Sequence, residues 1–364
     1  MSAPTPRPAI AGIGTPMGAI PELLQPEMQR LCSNESPMGA SKRAIAAATA
    51  ALARTHEYPE GEGGDLIEAI AAHFGVRPDR VRLGSGSDTL MMYATTAFAG
   101  LDDEVVFSAR GYSRYARNAL IAGATPVPAP DRDFRADPDA ILAAVTPRTR
   151  MVMLANPDNP SGAMLPLADI ETLRSRLPDN VLLVVDGAYA DYVRDPAYGD
   201  GGLALSGRAE NMLVSRTFSK LFGMAGLRLG WLTGSRTVLD AVGKVGPKFT
   251  VTLPALAAGR AALADTAHQQ AARAHNDRWL PWLAETLGRS NQLRLYPSQS
   301  NFQLIDFPTR QMVRDCTTHL VANGILVRHF GPGAHERQMR ISIGNGPALE
   351  RAAALITTFL EQGT

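Results

Sequence analysis

Residues 215–230 contain the side chains of this sequence that are best suited to covalent chemistry. Thr217, Ser219 and Lys220 lie close together, and Arg228 follows the lysine by eight residues. Hydroxyl groups and a guanidinium can together hold a phosphate. A lysine kept away from bulk water can form a Schiff base with a carbonyl compound. The spacing therefore suggests a covalent site for a phosphorylated carbonyl compound, although a lysine in a short motif of this kind is more often an ordinary surface residue.

Composition places the chain among ordinary globular proteins. Its 364 residues are 45% hydrophobic and 20% charged, and the formal net charge of +1 offers no excess of positive charge for nucleic acid or an acidic membrane. The two cysteines, Cys32 and Cys316, lack the spacing of a zinc site or a disulfide framework and suit a reducing compartment. No apolar run reaches the roughly 18 residues of a membrane span. We therefore expect a cytoplasmic protein without a metal site.

Strands and helices alternate along the chain up to about residue 235. Strands are predicted from apolar runs at 81–83, 104–108, 124–129, 151–154, 181–185 and 212–214. This alternation is typical of an α/β fold, with a mostly parallel, doubly wound sheet and helices on both faces. Loops that follow parallel strands meet at one edge of the sheet. The loops in question contain Asp88, Tyr112, Asn159, Asp186 and Lys220.

The pattern changes after about residue 255. A long helix is predicted over 256–287, bent near Pro281 because proline removes a backbone donor. Strands at 300–305, 325–328 and 339–343 alternate with helices at about 310–323 and 347–361. We therefore expect four parts: an N-terminal arm at 1–32, a large domain at 33–255, the linking helix, and a smaller α+β C-terminal domain at 288–364.

Two of the loops are unusual for purely structural segments. The glycine loop at 84–88 joins a strand to a helix, and the free N–H groups at a helix start bind anions. It lacks the lysine of a Walker A motif and the third glycine of a dinucleotide fingerprint. Asp186 ends a fully apolar strand, where an unpaired carboxylate is costly. Its alternative role is the N-cap of the next element.

Seven segments in this order resemble the fold-type I pyridoxal phosphate (PLP)-dependent aminotransferases, most closely the histidinol-phosphate aminotransferase group. The resemblance covers about residues 30–345, and each segment alone would be weak. The segments are SNESPMG (33–39), YPEGEGG (58–64), LGSGSD (83–88), NPDNPSG (156–162), VVDGAY (184–189), SRTFSKLFGMAGLRLGW (215–231) and RISIG (340–344).

The resemblance implies a role for each loop around bound PLP. Lys220 would form the Schiff base and transfer the proton, and Asp186 would pair with the pyridine nitrogen. Tyr189 and Asn159 would hydrogen-bond the phenolic oxygen, and Tyr112 would stack on the ring. The phosphate would be bound by Ser87, Asp88, Thr217, Ser219 and Arg228, and by the partner subunit's Tyr58 in a homodimer.

The resemblance also implies how substrates are held and what reaction follows. Arg340 would clamp the α-carboxylate in fork geometry, and Arg328 would meet a phosphate or side chain. Asn34 and Asn159 complete the expected substrate site. The expected reaction moves an amino group between an amino acid, with L-histidinol phosphate as the leading candidate, and a 2-oxo acid such as 2-oxoglutarate.

Three positions depart from the family pattern. Gly187 stands where a glutamate is usual, but that glutamate is not a direct cofactor ligand, so we expect activity to survive. Segment 12–16 lacks the tyrosine that usually helps to bind the substrate phosphate. Lys248-Phe249-Thr250 replaces an expected aromatic–Asn segment, so an anion site would have to be rebuilt with Lys248 or Arg328.

These departures leave other functions open. An aminotransferase for an aromatic or other amino acid has the same fold, and the missing tyrosine favours it. A PLP decarboxylase of the threonine-phosphate type has closely overlapping motifs, and it also binds the substrate carboxylate. A protein without enzymatic activity would have lost Lys220, Asp186 or Arg228, and all three are present.

Overall fold

The computed structural model describes residues 4–11, 13–14, 27–59, 61, 63–331 and 333–362. Its helices are α1 (Pro8–Ala11), α2 (Lys42–Ala51), α3 (Gly64–Phe74), α4 (Ser87–Phe98), α5 (Arg114–Ala122), α6 (Pro138–Ala143), α7 (Leu167–Arg176), α8 (Leu203–Ser206), α9 (Arg236–Val245), α10 (Leu253–Ala264), α11 (Thr266–Gly288), α12 (Arg310–Ala322) and α13 (Gly346–Gln362). Within these ranges no helix is both long and apolar enough to cross a membrane.

The strands form one large sheet, one smaller sheet and a hairpin. They are β1 (Gln29–Leu31), β2 (Val81–Gly84), β3 (Glu104–Ser108), β4 (Thr125–Ala129), β5 (Asp131–Arg132), β6 (Arg135–Ala136), β7 (Thr149–Ala155), β8 (Leu182–Asp186), β9 (Met212–Thr217), β10 (Gly230–Gly234), β11 (Arg294–Leu295), β12 (Phe302–Asp306), β13 (Ile325–His329) and β14 (Gln338–Ser342). The large sheet has the order β2-β10-β9-β8-β7-β3-β4, and β5 pairs with β6.

The large sheet is mostly parallel and is covered on both faces. Only β10 runs antiparallel to its neighbours β2 and β9, whereas β4, β3, β7, β8 and β9 are parallel. Alternate residues of a strand point to opposite faces, and here they enter different cores. Val185 belongs to the same apolar core as Ile70 of α3, while Val184 belongs to the same core as Leu90 of α4. This architecture confirms the predicted doubly wound α/β fold.

The smaller sheet has the order β1-β13-β14-β12-β11 and its own apolar core. Strand β1 is parallel to β13, and the other pairs are antiparallel. The edge strand β1 comes from the segment predicted as an N-terminal arm, and its buried Leu31 packs into this core. That strand was not predicted. Residues 1–3, 12 and 15–26 of the predicted arm lie outside the described residues.

The single linking helix predicted over 256–287 is wrong. The segment contains two helices, α10 and α11, which meet at Asp265. Asp265 has φ −93° and ψ 68°, and its side chain accepts a hydrogen bond from the backbone N–H of His268. An aspartate that caps the next helix in this way offers the backbone an alternative to helical bonding. Pro281, where a bend was predicted, lies inside α11.

Candidate active site

A cavity of about 440 Å³ opens where the loops at the carboxyl ends of the large sheet face strands β13 and β14. It is lined by every predicted site residue except Tyr58: Asn34, Ser87, Asp88, Tyr112, Asn159, Asp186, Tyr189, Thr217, Ser219, Lys220, Arg228, Arg328 and Arg340. The carboxyl ends of parallel strands are where open α/β sheets bind ligands. The topology therefore brings the motif residues together although they are far apart in sequence.

Asp186 is the buried carboxylate of this cavity, at the end of β8. Its Oδ1 accepts hydrogen bonds from Ser215 Oγ at 2.8 Å and from the Ala188 N–H at 3.2 Å. Its Oδ2 accepts one from the Tyr115 hydroxyl at 3.1 Å. Burial raises the pKa of Asp186, and the bonds from Ser215 and Tyr115 oppose that shift. No cationic side chain pairs with it in the described part of the chain, so its charge is stabilised by hydrogen bonds alone.

Lys220 lies beside a phenol that is held by two amides. The Tyr189 hydroxyl accepts hydrogen bonds from Asn34 Nδ2 at 3.0 Å and Asn159 Nδ2 at 3.4 Å. Lys220 Nζ donates to the carbonyl of Ser33 at 3.2 Å and lies 5.6 Å from the centre of the Tyr189 ring. The amine thus lines the cavity, and the Tyr189 hydroxyl beside it can donate a hydrogen bond to a bound oxygen.

An anion cradle surrounds the start of α4. Within the described ranges no side chain caps this helix, so the N–H groups of its first turn are available to an anion. Thr217 Oγ1 and Ser219 Oγ lie 3.0 Å apart beside it. Gly86 has φ 92°, and a Cβ added there would lie 2.6 Å from Arg228 Nη2. The glycine therefore allows the Arg228 guanidinium to approach the loop closely.

Asp88 and Tyr112 form the adjoining wall. Asp88 Oδ2 lies 3.6 Å from Arg114 Nε, whereas its Oδ1 is buried and has no hydrogen-bond partner among the residues described. The Tyr112 ring packs edge-on against Tyr115, with 5.5 Å between the ring centres. Burial raises the pKa of the Tyr112 hydroxyl, so this residue presents a neutral aromatic surface to the cavity.

Two arginines face each other on the opposite wall. Arg328 and Arg340 are direct cross-strand partners on β13 and β14. Arg340 is 7% exposed, its Nη2 donates to the Cys32 carbonyl at 2.9 Å and its Nη1 donates to Asn159 Oδ1. Its Nε is buried without a partner in the part of the chain that the structure describes, and burial lowers the pKa of Arg340 to about 10. Like charges directly opposite on neighbouring strands repel, so this wall is suited to an anionic ligand.

Asn34 joins the two halves of the cavity. Its backbone is left-handed, with φ 55°, and its N–H donates to Ser342 Oγ at 2.7 Å. The same hydroxyl donates to Asn34 Oδ1 at 2.9 Å, and Asn301 Nδ2 donates to the Asn34 carbonyl at 3.1 Å. The smaller sheet therefore fixes the amide that bonds to Tyr189.

Tyr58 lies apart from the cavity of its own chain. It is 77% exposed, and its ring stacks on Phe249 with 4.7 Å between the ring centres. Of segment 12–16, where a tyrosine is missing, residues 12, 15 and 16 lie outside the described residues.

Three residues of the site were missed by sequence reasoning. Ser215 is the cross-strand partner of Asp186 in the parallel pair β8 and β9. Both residues stand in quoted motifs, at 184–189 and 215–231, so pairing the strands that lead into these motifs would have pointed to Ser215. Tyr115 lies three residues after Tyr112, within the first turn of α5, so a helical spacing pointed to it. His335 also lines the cavity, but it belongs to a loop with no motif around it.

Comparison with known proteins agrees with this geometry. Residues 26–356 match the family model described as aminotransferase class I and II. The histidinol-phosphate aminotransferase of Paramagnetospirillum magneticum is 40% identical over 99% of this chain and 99% of its own length. That of Rhodopseudomonas palustris strain HaA2 is 38% identical over 99% of both.

The fold matches solved structures as well. The crystal structure of histidinol-phosphate aminotransferase from Sinorhizobium meliloti, in complex with pyridoxal-5'-phosphate, superposes with a TM-score of 0.88 at 27% identity, covering 98% of each chain. The chain belongs to the aminotransferase class I and II family. The resemblance drawn from the seven sequence motifs is thereby confirmed.

Proposed function

We propose that this protein is a PLP-dependent aminotransferase that moves an amino group between L-histidinol phosphate and a 2-oxo acid such as 2-oxoglutarate. One observation carries the proposal: Lys220, Asp186 and the arginine pair, which come from separate loops and strands, line one cavity. The relatives named histidinol-phosphate aminotransferase align with almost the whole chain, which supports this substrate.

The residues present fit PLP. Asp186 is a buried carboxylate without a cationic partner among the described residues, and a protonated pyridine nitrogen would supply one. The uncapped start of α4 and the Arg228 guanidinium fit the phosphate. When bound, PLP supplies an electron sink for the carbanion formed at the substrate α-carbon.

We assign the other roles in the reaction to the chain's own residues. Lys220 Nζ, the amine of the cavity, would accept the proton that leaves the substrate α-carbon, and the same amine would donate it again to complete the transfer. Asn34 and Asn159 donate hydrogen bonds to the Tyr189 hydroxyl and so fix a group that would donate to the cofactor's phenolic oxygen. Tyr112 would pack against one face of the cofactor ring, and Asp186 would stabilise the protonated ring nitrogen.

The arginine pair accounts for two different substrates. Histidinol phosphate carries a phosphate ester and no carboxylate, whereas 2-oxoglutarate carries two carboxylates. Arg340, with its unpaired buried Nε, and Arg328, directly opposite, together bind either anion. Since the described part of segment 12–16 contributes no tyrosine, this pair carries the recognition of the phosphate.

We also propose a cytoplasmic homodimer in which the partner subunit's Tyr58 reaches the cofactor phosphate. Tyr58 is exposed and lies outside its own cavity, which supports a role towards a neighbouring chain. The two cysteines are unpaired and buried, as suits a reducing compartment. We also propose that the chain is divided into a large domain at 33–255 and a small domain at 288–364.

A substrate screen tests the function. Purified protein loaded with PLP is mixed with L-histidinol phosphate, L-phenylalanine or L-threonine phosphate, and the loss of the cofactor's visible absorbance is followed. We expect histidinol phosphate to react fastest, with release of the keto product. Faster reaction with phenylalanine moves the assignment to an aromatic aminotransferase, and release of carbon dioxide moves it to a decarboxylase.

A separate experiment tests the covalent attachment of the cofactor. Borohydride is expected to fix PLP covalently to the wild-type chain and to leave Lys220→Ala unlabelled. A wild-type protein that stays colourless after addition of PLP contradicts the whole assignment.

A further inference from the structure

The hairpin formed by β5 and β6 carries a buried aromatic ring at its tip, in a backbone conformation that disfavours side chains. Phe134 is 7% exposed and has φ 60°. A bulky residue in this left-handed region is rare and strained. Such strain persists only where the surrounding contacts fix the residue, and it is often found near functional sites. The contacts of this ring therefore indicate what the hairpin does.

On one side the hairpin is attached to the loop that follows β3. Asp131 accepts hydrogen bonds from the Arg110 N–H at 2.6 Å and from Ser108 Oγ. The Arg110 guanidinium lies over the Phe134 ring, with 4.3 Å between its central carbon and the ring centre. The same loop continues to Tyr112 in the cavity wall. The hairpin is thus fixed to the sheet edge that forms the cofactor side of the cavity.

On the other side the ring packs against the smaller sheet. The ring centres of Phe134 and Tyr296 are 4.5 Å apart, and both rings share a buried cluster with Leu304 of β12. Phe330, which directly follows β13, packs against this cluster and lines the cavity. Phe134 does not line the cavity itself, so it supports that wall from the far side.

His335 joins these groups. Its ring centre is 5.8 Å from that of Phe134 and 5.2 Å from that of Phe330. Its Nε2 lies 2.8 Å from the Arg110 carbonyl oxygen, which accepts a hydrogen bond from it. Contacts between aromatic rings therefore connect the loop after β3 with Phe330.

Phe330 in turn contacts one of the two cavity arginines. The central guanidinium carbon of Arg328 lies 5.9 Å from the centre of the Phe330 ring, within the about 6 Å of a cation–π contact. Arg328 lines the cavity, and no hydrogen bond or ion pair holds its guanidinium in the part of the chain that the structure describes. The Phe330 ring is therefore a contact through which the orientation of Arg328 can be set.

We propose that Phe134 is a positioning residue for the anionic group of the substrate, because it holds Phe330 where that ring orients Arg328. The inference rests on the proposed function and deepens it. A guanidinium that is oriented in advance loses less conformational freedom when the phosphate binds, so the phosphate is bound more tightly. Phe134 contributes to this recognition without touching the substrate.

Substitutions at the hairpin tip separate the ring from the backbone. Phe134→Gly removes the ring and suits φ 60°, which glycine adopts without strain, and Phe134→Tyr keeps an aromatic ring. Phe134→Leu, which keeps apolar volume without an aromatic face, replaces the glycine variant if that chain does not fold. Asp133→Asn is the matched control, since Asp133 occupies the same tip with φ 52°. Its side chain is 62% exposed and pairs with Arg294 at the surface, where an ion pair contributes little.

The readout is a ratio measured on the PLP-loaded enzyme, kcat/KM for L-histidinol phosphate divided by kcat/KM for L-histidinol, which lacks the phosphate. We expect Phe134→Gly to lower this ratio about tenfold, the lower end for loss of a hydrogen bond to a charged group, and Phe134→Leu to lower it less. Phe134→Tyr and Asp133→Asn should keep the wild-type ratio. A merely structural role would slow both substrates equally, so an unchanged ratio in the folded glycine or leucine variant overturns the proposal. An equal fall in Asp133→Asn also overturns it.

A double substitution tests whether the effect passes through Arg328. Arg328→Gln lowers the ratio by removing the guanidinium itself. In that background Phe134→Gly should lower it no further, because the group that the ring positions is gone. Two reductions that multiply in the double variant would show that Phe134 acts by another route.

Failure of the proposed function has a different signature, since the wild-type enzyme then does not react with histidinol phosphate. In that case calorimetry measures the Kd of glutarate and of butyrate, which has one carboxylate fewer. A preference for glutarate that falls in Phe134→Gly and persists in Asp133→Asn still supports the positioning role. An unchanged preference rejects it, and so does a wild-type protein that binds both acids equally.

Discussion

At the scale of single residues, Asp186 is the side chain whose charge matters most for the chemistry. Asp186→Asn keeps the shape and the acceptor for Ser215, while its Nδ2 would donate to the Tyr115 hydroxyl, which now donates to Oδ2. The substitution removes the negative charge that would stabilise the protonated nitrogen of the cofactor ring. We expect kcat to fall on the order of a hundredfold or more, with PLP still bound. Stopped-flow half-reactions measure it, and Ser215→Ala, which removes one donor only, is the milder control. Turnover at the wild-type level in Asp186→Asn rules out this electrostatic role.

Asp158 gives a prediction about pH. It is 4% exposed, and burial, the largest cause, raises its pKa from 3.8 to about 8 against the hydrogen bond from Ser161. Between these values the folded chain keeps a proton that the unfolded chain releases. Stability must therefore decrease as pH rises from about 4 to about 8, with a slope of up to about 1.4 kcal/mol per pH unit.

Asp158→Asn removes this titration and keeps a polar group beside Ser161. Urea unfolding at several pH values between 5 and 8 is expected to show that the variant loses less stability than the wild-type protein as pH rises. Because all other titrating groups are shared, the difference between the two proteins isolates Asp158. Parallel curves for the two proteins would show that this carboxyl ionises normally.

Sequence motifs predicted the residues that line the cavity better than they predicted the neighbouring residues that contact them. Motif loops that follow parallel strands had to meet at one edge, so Asp186, Asn159 and Lys220 were placed together from pattern alone. Tyr115 and His335 depend on how a helix and a distant loop pack against that edge. Such contacts follow from tertiary packing: the helical spacing from Tyr112 points to Tyr115, but no local pattern encodes His335.

At the scale of elements, the glycine loop before α4 must combine an unusual backbone with a close contact. Gly86 has φ 92°, and a Cβ there would meet Arg228 Nη2 at 2.6 Å. Gly86→Ala should therefore strain the loop and displace the guanidinium. We expect PLP to bind about ten- to a hundredfold more weakly, as suits the loss of a hydrogen bond to a charged group. Titration of the apoenzyme with PLP measures it.

Gly75 is the matched control for the backbone strain alone. It ends α3 with φ 68°, and no atom lies within 4 Å of the position of an added Cβ. Gly75→Ala should cost about 1–2 kcal/mol of stability, the penalty for a left-handed residue with a side chain, and leave the affinity for PLP as it was. If both variants weaken PLP equally, the effect comes from general destabilisation and not from Arg228.

Element boundaries show where sequence patterns fail. The helix predicted over 256–287 runs through Asp265 because helix-favouring residues flank this aspartate on both sides. In the structure the Asp265 side chain caps α11, and α10 ends before it. Strand β1 was missed since it has three residues, and its pairing partner lies almost 300 positions later in the chain. Long apolar strands such as β8 were predicted to within a residue, because both faces of that sheet are buried.

At the scale of the whole molecule, one apolar groove remains exposed to solvent in the single chain. Ile45 on α2 and Leu52, the residue directly after α2, are 54% and 56% exposed, and they line a groove with Met224 and Leu227 from the loop after Lys220. Apolar surface of this kind marks sites of protein association. Its position next to the lysine loop supports the proposed homodimer.

A mixing experiment tests whether two chains share each site. Lys220→Ala lacks the reactive amine, and Tyr58→Ala lacks the side chain proposed to reach the neighbouring cofactor, so each variant should be impaired when assayed alone at limiting PLP. In a mixed dimer, the site with an intact Lys220 would receive Tyr58 from the Lys220→Ala chain. Random exchange of subunits should then restore up to about a quarter of the wild-type sites, because half of the dimers are mixed and each has one complete site.

The outcome depends on where Tyr58 acts. If it served the cavity of its own chain, the mixed dimer would contain no complete site, and the activity would be only the average of the two variants. The exposure of Tyr58, 77%, and its absence from the lining of its own cavity lead us to expect recovery above that average. Size-exclusion chromatography with light scattering checks that dimers form, and a monomer with full activity would refute the shared site.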